Sequence, residues 1–101
     1  SDALTSHQKS LEIREKLYAA APNNIQRGLE TAKSRQLVGD IFSMSGRVNE
    51  ARENYRQTVD LNKRLLALDA GNIVVQRSLA SSYARLGQSI LRSGSLGEAL
   101  A

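Results

Sequence analysis

The chain repeats itself with a single offset: Asn24-Ile25 returns as Asn72-Ile73 (72 − 24 = 48), and the same shift carries Gly39 onto Gly87, Ser45-Gly46 onto Ser93-Gly94 and Glu50-Ala51 onto Glu98-Ala99. A dozen identities survive at this offset without any insertion. A period of about 20–50 residues marks one supersecondary unit stacked on copies of itself. Such stacks bury their core between neighbouring units and present long surfaces. The functional question therefore turns toward contact rather than catalysis.

At 101 residues the chain is one domain at most. Aromatics are scarce, with three Tyr, one Phe and no Trp, so the core must come from Leu, Ile, Val and Ala. Ala and Leu head the helix propensity scale. The one proline is Pro22, which leaves long helices uninterrupted elsewhere. Cysteine is absent, which excludes disulfides, thiolate metal sites and cysteine nucleophiles. No apolar run approaches the roughly 18–20 residues of a membrane span, so no membrane partner is expected. The net charge of +4 comes from 14 basic and 10 acidic residues, interleaved along most of the chain. In the last third, Arg77, Arg85 and Arg92 face one acid, Glu98.

The spacing predicts four helices, over about 2–20, 24–45, 48–69 and 72–93. Asn24 and Asn72 each precede a run with apolar residues at helical spacing, where a side-chain oxygen can cap first-turn amides. Their apolar sets are Ile25, Leu29, Ala32, Leu37, Val38, Ile41 and Phe42, then Ile73, Leu79, Ala80, Tyr83, Leu86, Ile90 and Leu91. Both runs close on Ser-Gly, where glycine can take the left-handed conformation that ends helices. The other two helices place Ala3, Leu11, Leu17 and Tyr18, and Ala51, Tyr55, Val59, Leu65 and Leu66, on one side. Glu12 with Lys16, and Asp60 with Arg64, are acid-then-base pairs four apart, the mark of an exposed face. Helices of about 20 residues, each roughly 30 Å long, joined by short turns must run antiparallel.

Gly39 and Gly87 fall inside helices, where each costs about 1 kcal/mol relative to alanine. Their equivalent positions suggest close approach of a neighbour, with Ala51 and Ala99 as the expected partners. The alternative is a tolerated pair of weak spots.

These residues resemble the tetratricopeptide repeat (TPR) family. Tyr83, Leu86, Gly87, Ile90 and Ala99 match its aromatic, its Leu-Gly pair, a large residue three later and a small residue opening the next helix. Upstream the match is Val38-Gly39, Phe42, Ala51 and Tyr55, with Thr58 where the family has alanine and Arg35 where it has an aromatic. The period exceeds the usual TPR unit of about 34 residues by about fourteen, close to four helical turns shared between two helices. In this it is similar to long-helix TPR arrays of large bacterial signalling proteins, some carrying a Ser/Thr kinase domain. The resemblance implies an all-α fold, a right-handed superhelix of stacked antiparallel hairpins. The chain opens in the phase of a repeat's second helix and closes in the same phase. It therefore reads as an excised piece of a longer array, with end faces that promote self-association.

Candidate chemistry is thin, and no enzyme activity, metal or cofactor is expected. His7 is the sole histidine and aligns with Tyr55, an inward-facing position where packing is expected. Asp40 and Glu30 lie almost three turns apart and cannot flank one bond as paired acid and base. Both read as solvated. Ser34, Ser43, Ser45, Ser78, Ser81 and Ser82 have no histidine at compatible spacing, and most of them read as small residues at helix contacts. Single glycines make no phosphate-cradling loop.

In the TPR family the concave surface is formed chiefly by the first helix of each pair. The resemblance maps that surface onto Lys33, Gln36, Asp40, Ser43 and Met44, then onto Ser81, Ala84, Arg85, Gln88, Leu91 and Arg92. Arg85 and Arg92, seven apart, share one side of their helix. They read either as anchors for an acidic or phosphorylated protein segment or as an ordinary solvated pair. The family's carboxylate clamp is not expected, because Gln36 and Asp40, then Ala84 and Gln88, hold its positions. A basic stripe interleaved with aromatics is missing, so nucleic acid is not an expected partner. The leading expectation is a non-catalytic protein-interaction module. The second is a structural spacer or self-assembly element within a larger signalling protein.

Overall fold

Residues 2–93, described in a computed structural model, form four helices: α1 (Asp2–Ala20), α2 (Ile25–Met44), α3 (Val48–Leu68) and α4 (Ile73–Arg92). The described residues contain no strand. The expected closing elements around Gly94 and Glu98-Ala99 lie outside the described residues.

The turns form for the reasons legible in the sequence. The Asn24 Oδ1 accepts from the Arg27 amide at 3.1 Å, and the Asn72 Oδ1 accepts from the Val75 amide at 3.1 Å. The two caps are the same device one period apart. At the end of α2, Gly46 has φ +79°. Its amide donates to the Ser43 carbonyl at 3.2 Å, and the Arg47 amide donates to Phe42 at 2.9 Å. This is a Schellman motif. The Arg47 guanidinium completes it, lying 4.7 Å from the centre of the Phe42 ring.

Two apolar clusters make the core. Leu11, Val38, Phe42, Ala51 and Tyr55 join α1, α2 and α3 near the α2–α3 turn. Ala32, Leu61, Leu65 and Val75 join α2, α3 and α4 at the opposite end, with Tyr18, Ile25, Leu29 and Leu66 packed around them. Burying each such Leu or Val contributes about 1.5–3 kcal/mol.

Helix α2 is the hub: it packs against α1, α3 and α4. By contrast, no Cα of α1 comes within 8 Å of one in α3. The front layer, α2 and α4, is therefore closed, and the back layer, α1 and α3, is splayed. Arg35 spans the splay, donating to Glu15 on α1 and to Gln57 on α3. One period on, Tyr83 stands at the Arg35 position and Lys63 at the Glu15 position. There the Lys63 Nζ lies 5.8 Å from the Tyr83 ring centre. The same two positions interact in both copies, as an ion pair in one and as a cation over a ring in the other.

Several expectations are corrected. His7 is exposed rather than inward-facing, because none of the described residues covers that side of α1. Leu17, Leu37, Ile73, Tyr83 and Leu91 are also exposed, although each follows its helical period. Asp40 is not solvated but half-buried and bonded. Gly39 meets Tyr55 rather than Ala51: a Cβ built on it would lie 2.7 Å from Tyr55 Cε1. Among the described residues, Gly87 meets nothing within 4 Å. Its expected partner, Ala99, lies outside the described residues.

Candidate interaction groove

Apart from Lys33 and Leu91, the expected contact residues divide between a bonded seam and a groove beside it. Helix α2 turns Gln36, Asp40 and Ser43 toward α4, which offers Ser81, Arg85 and Arg92. The Arg85 Nε donates to Asp40 Oδ1 at 2.9 Å, and its Nη1 donates to Ser81 Oγ at 2.7 Å. Arg92 donates to the Ser43 hydroxyl and, at 3.3 Å, to its carbonyl. Gln36 Nε2 reaches Ser81 Oγ at 3.5 Å.

Arg85 and Arg92 thus neither stand free as paired anchors nor point idly into solvent. They tie the second hairpin to the first. The lopsided charge of the last third is resolved the same way, with Arg85 drawing its acid from a helix 45 residues away. Part-exposed ion pairs of this kind contribute at most about 1 kcal/mol each, so they set the register of α4 on α2 more than they add stability.

Asp40 is the centre of the seam. The Tyr55 hydroxyl donates to the same Oδ1 at 2.5 Å, so one carboxylate oxygen joins α2, α3 and α4. Burial, first, and then the Asp40 carboxylate hold the Tyr55 proton on, pushing its pKa well above the ordinary phenol value of 10.0. The unfolded chain loses this proton near pH 10 while the folded chain keeps it. Stability linked to Tyr55 is therefore complete below pH 10 and falls as pH rises beyond it, by at most about 1.4 kcal/mol per pH unit. Urea unfolding between pH 9 and 11.5 should show this loss, and Tyr55→Phe should show a shallower one.

Beside the seam lies an open groove of about 730 Å³. Its floor is the exposed face of α2, with Leu37, Asp40 and Met44, and its walls are His7 on α1 and Ala84 and Gln88 on α4. Met44 is 80% exposed and Leu37 41%. Neither belongs to a core cluster. Lys33 sits exposed one turn before Leu37 and does not line the groove. Leu91, exposed on α4, does not line it either.

A second recess of about 740 Å³ opens on the back, in the splay between α1 and α3. Sequence reasoning missed it. Its one signal was Arg35 at a position where an aromatic was expected. Arg35 crosses its interior, and Tyr18 and Leu61 in its wall already pack in the core.

Of the six candidate serines, Ser34 and Ser82 are buried and Ser43, Ser78 and Ser81 half-buried, with Ser78 donating to the buried Asn62 Oδ1 at 2.9 Å, whereas Ser45 is exposed. Among the described residues no three of His, Asp and Glu converge as metal ligands, and no helix is long and apolar enough to cross a membrane. No protein-family model, curated protein or solved structure matches this chain.

Proposed function

We propose that this chain is a non-catalytic protein-interaction module, a right-handed stack of long TPR-like hairpins that holds a segment of a partner protein along its α2–α4 face. The observation that carries the reading is the pair Leu37 and Met44, large apolar side chains left exposed in a groove whose polar edge is already organised. Exposed apolar surface rimmed by polar groups is the usual footprint of a contact site. The superhelix is supported by the closed α2–α4 layer and the splayed α1–α3 layer, which together give the stack an inner and an outer side.

Asp40 neutralises Arg85 at the groove's edge. A partner therefore needs an apolar side chain for Leu37 and Met44, with acidic or acceptor groups within reach of Lys33, Gln88 and the outer donors of Arg92. Substituting Arg85 or Arg92 would loosen the α2–α4 seam as well as any partner contact, so the informative changes are elsewhere. Peptides selected from a display library against the wild-type chain should bind the Leu37→Asp/Met44→Asp variant at least tenfold more weakly, with helicity unchanged by circular dichroism. Peptides that bind both proteins equally would place recognition outside this groove and remove the reading.

A further inference from the structure

The face that α3 buries against α2 exists a second time, exposed, on α1. Moving Ala51, Tyr55, Thr58, Leu61 and Leu65 back by one period gives Ala3, His7, Ser10, Ile13 and Leu17. The first set is buried throughout. In the second, Ser10 is half-buried, but Ala3 and His7 are exposed, Ile13 is 61% exposed and Leu17 49%. The receiving face is duplicated as well. On α2 it is Gly28, Ala32, Arg35 and Gly39, with Gly28 and Gly39 giving room to Leu65 and Tyr55. Moved forward by one period it is Gln76, Ala80, Tyr83 and Gly87, all exposed on α4. Both halves of one well-packed internal interface thus recur, unpartnered, at opposite ends of the described stack.

We infer that copies of this chain associate head to tail, with α1 of a second copy seated on α4 of the first in the register that α3 takes on α2. The match extends to chemistry. His7 of the second copy lies over Gly87 as the Tyr55 ring lies over Gly39, and Gln88 stands beside it where Asp40 meets the Tyr55 hydroxyl. Arg35 is held from both sides by Glu15 and Gln57. Tyr83 has Lys63 on one side, and Lys9 of the second copy, at the position equivalent to Gln57, takes the other. Ile13 and Leu17 of the second copy cover Ala80. Gln76 stands where Gly28 admits Leu65, which keeps this contact weaker than its internal template. Because the two faces differ, the association is heterologous and extends into open chains rather than closing at a dimer.

Sedimentation equilibrium of the full chain tests this. The weight-average mass should climb from 11.0 kDa with concentration and pass the dimer value without levelling. Ile13→Glu removes the α1 face and Ala80→Glu the α4 face, both at exposed positions, and each variant alone should remain at monomer mass. Their equimolar mixture retains one good face of each kind and should form dimers that grow no further. Leu17→Glu with Tyr83→Glu repeats the test at independent positions should either first variant lose helicity. A wild-type mass that stays at 11.0 kDa up to millimolar concentration overturns the inference, and so does a mixture that stays monomeric. Occupation of the α4 face by the chain's own Glu98-Ala99-Leu100, equivalent in phase to Asp2-Ala3-Leu4, would give that monomeric result. Association by either variant alone would show a two-fold contact instead, and also overturns it.

Discussion

Gly39→Val is expected to lower the unfolding free energy by about 2–3 kcal/mol, while Gly87→Ala, at the equivalent position one period on, raises it by about 1 kcal/mol. The opposite signs come from what each glycine faces. A Cβ at Gly39 would lie 2.7 Å from Tyr55 Cε1 and 3.0 Å from Cδ1. The ring cannot swing away cheaply, because its hydroxyl is fixed on Asp40 and Tyr55 is 4% exposed. Displacing it also pulls on the Asp40–Arg85 bond, so the variant loosens the α2–α4 register. At Gly87 an added methyl meets none of the described residues within 4 Å, which leaves the gain in helix propensity. In a chain of this size, 2–3 kcal/mol corresponds to a fall in melting temperature of about 10–20 °C. Thermal unfolding of both variants in dilute solution checks the pair. If His7 of a second copy docks over Gly87, Gly87→Ala should also weaken association at high concentration while stabilising the monomer. Helix propensity alone cannot produce that combination.

Local signals carried as far as local physics reaches. Asn24 and Asn72 announce caps because a side-chain oxygen two or three residues from orphan amides acts within one turn, and Gly46 announces a stop for the same reason. Four helices follow from such signals together with apolar spacing. Which face of each helix finds a partner does not follow. Leu37, Ile73 and Leu91 keep the helical period yet remain exposed, because a helix in a stack has two or three neighbours and periodicity does not count them. The Asp40–Arg85 tie is equally invisible locally, since its partners are 45 residues apart and neither is unusual in its own neighbourhood. A trace of it lay in the excess of arginine over acid in the last third. The Arg35 substitution was legible as a departure, but its resolution, Glu15 and Gln57 from two different helices, required the splay between α1 and α3. For the groove, the family resemblance pointed to α2 and α4, where Leu37 and Met44 are exposed without a core partner while Arg85 and Arg92 are bonded across the seam.

Leu65→Ala is expected to cost about 3–4 kcal/mol, a large share of the roughly 5–15 kcal/mol that holds a domain together. Leu65 is fully buried between Ala32, Leu61 and Val75 and fills the hollow over Gly28. The same contact makes Gly28 intolerant of growth, because a Cβ there would overlap Leu65 Cδ2 and lie 2.9 Å from Cδ1. The two substitutions should therefore be strongly coupled. Gly28→Ala alone forces a leucine with no exposed side to retreat into and should destabilise. In the Leu65→Ala background the obstruction is gone, so Gly28→Ala fills part of the cavity and recovers about 1 kcal/mol of helix propensity. A change of sign across the double-mutant cycle, measured by chemical denaturation, is the expected result. Additive effects would mean that Leu65 is free to move and that the close approach of α3 to α2 is not what keeps glycine at position 28. At position 76, where the equivalent face is open and Gln76 is exposed, no such restriction operates. The contrast between positions 28 and 76, like that between Gly39 and Gly87, follows from one helix being covered and its counterpart being left open.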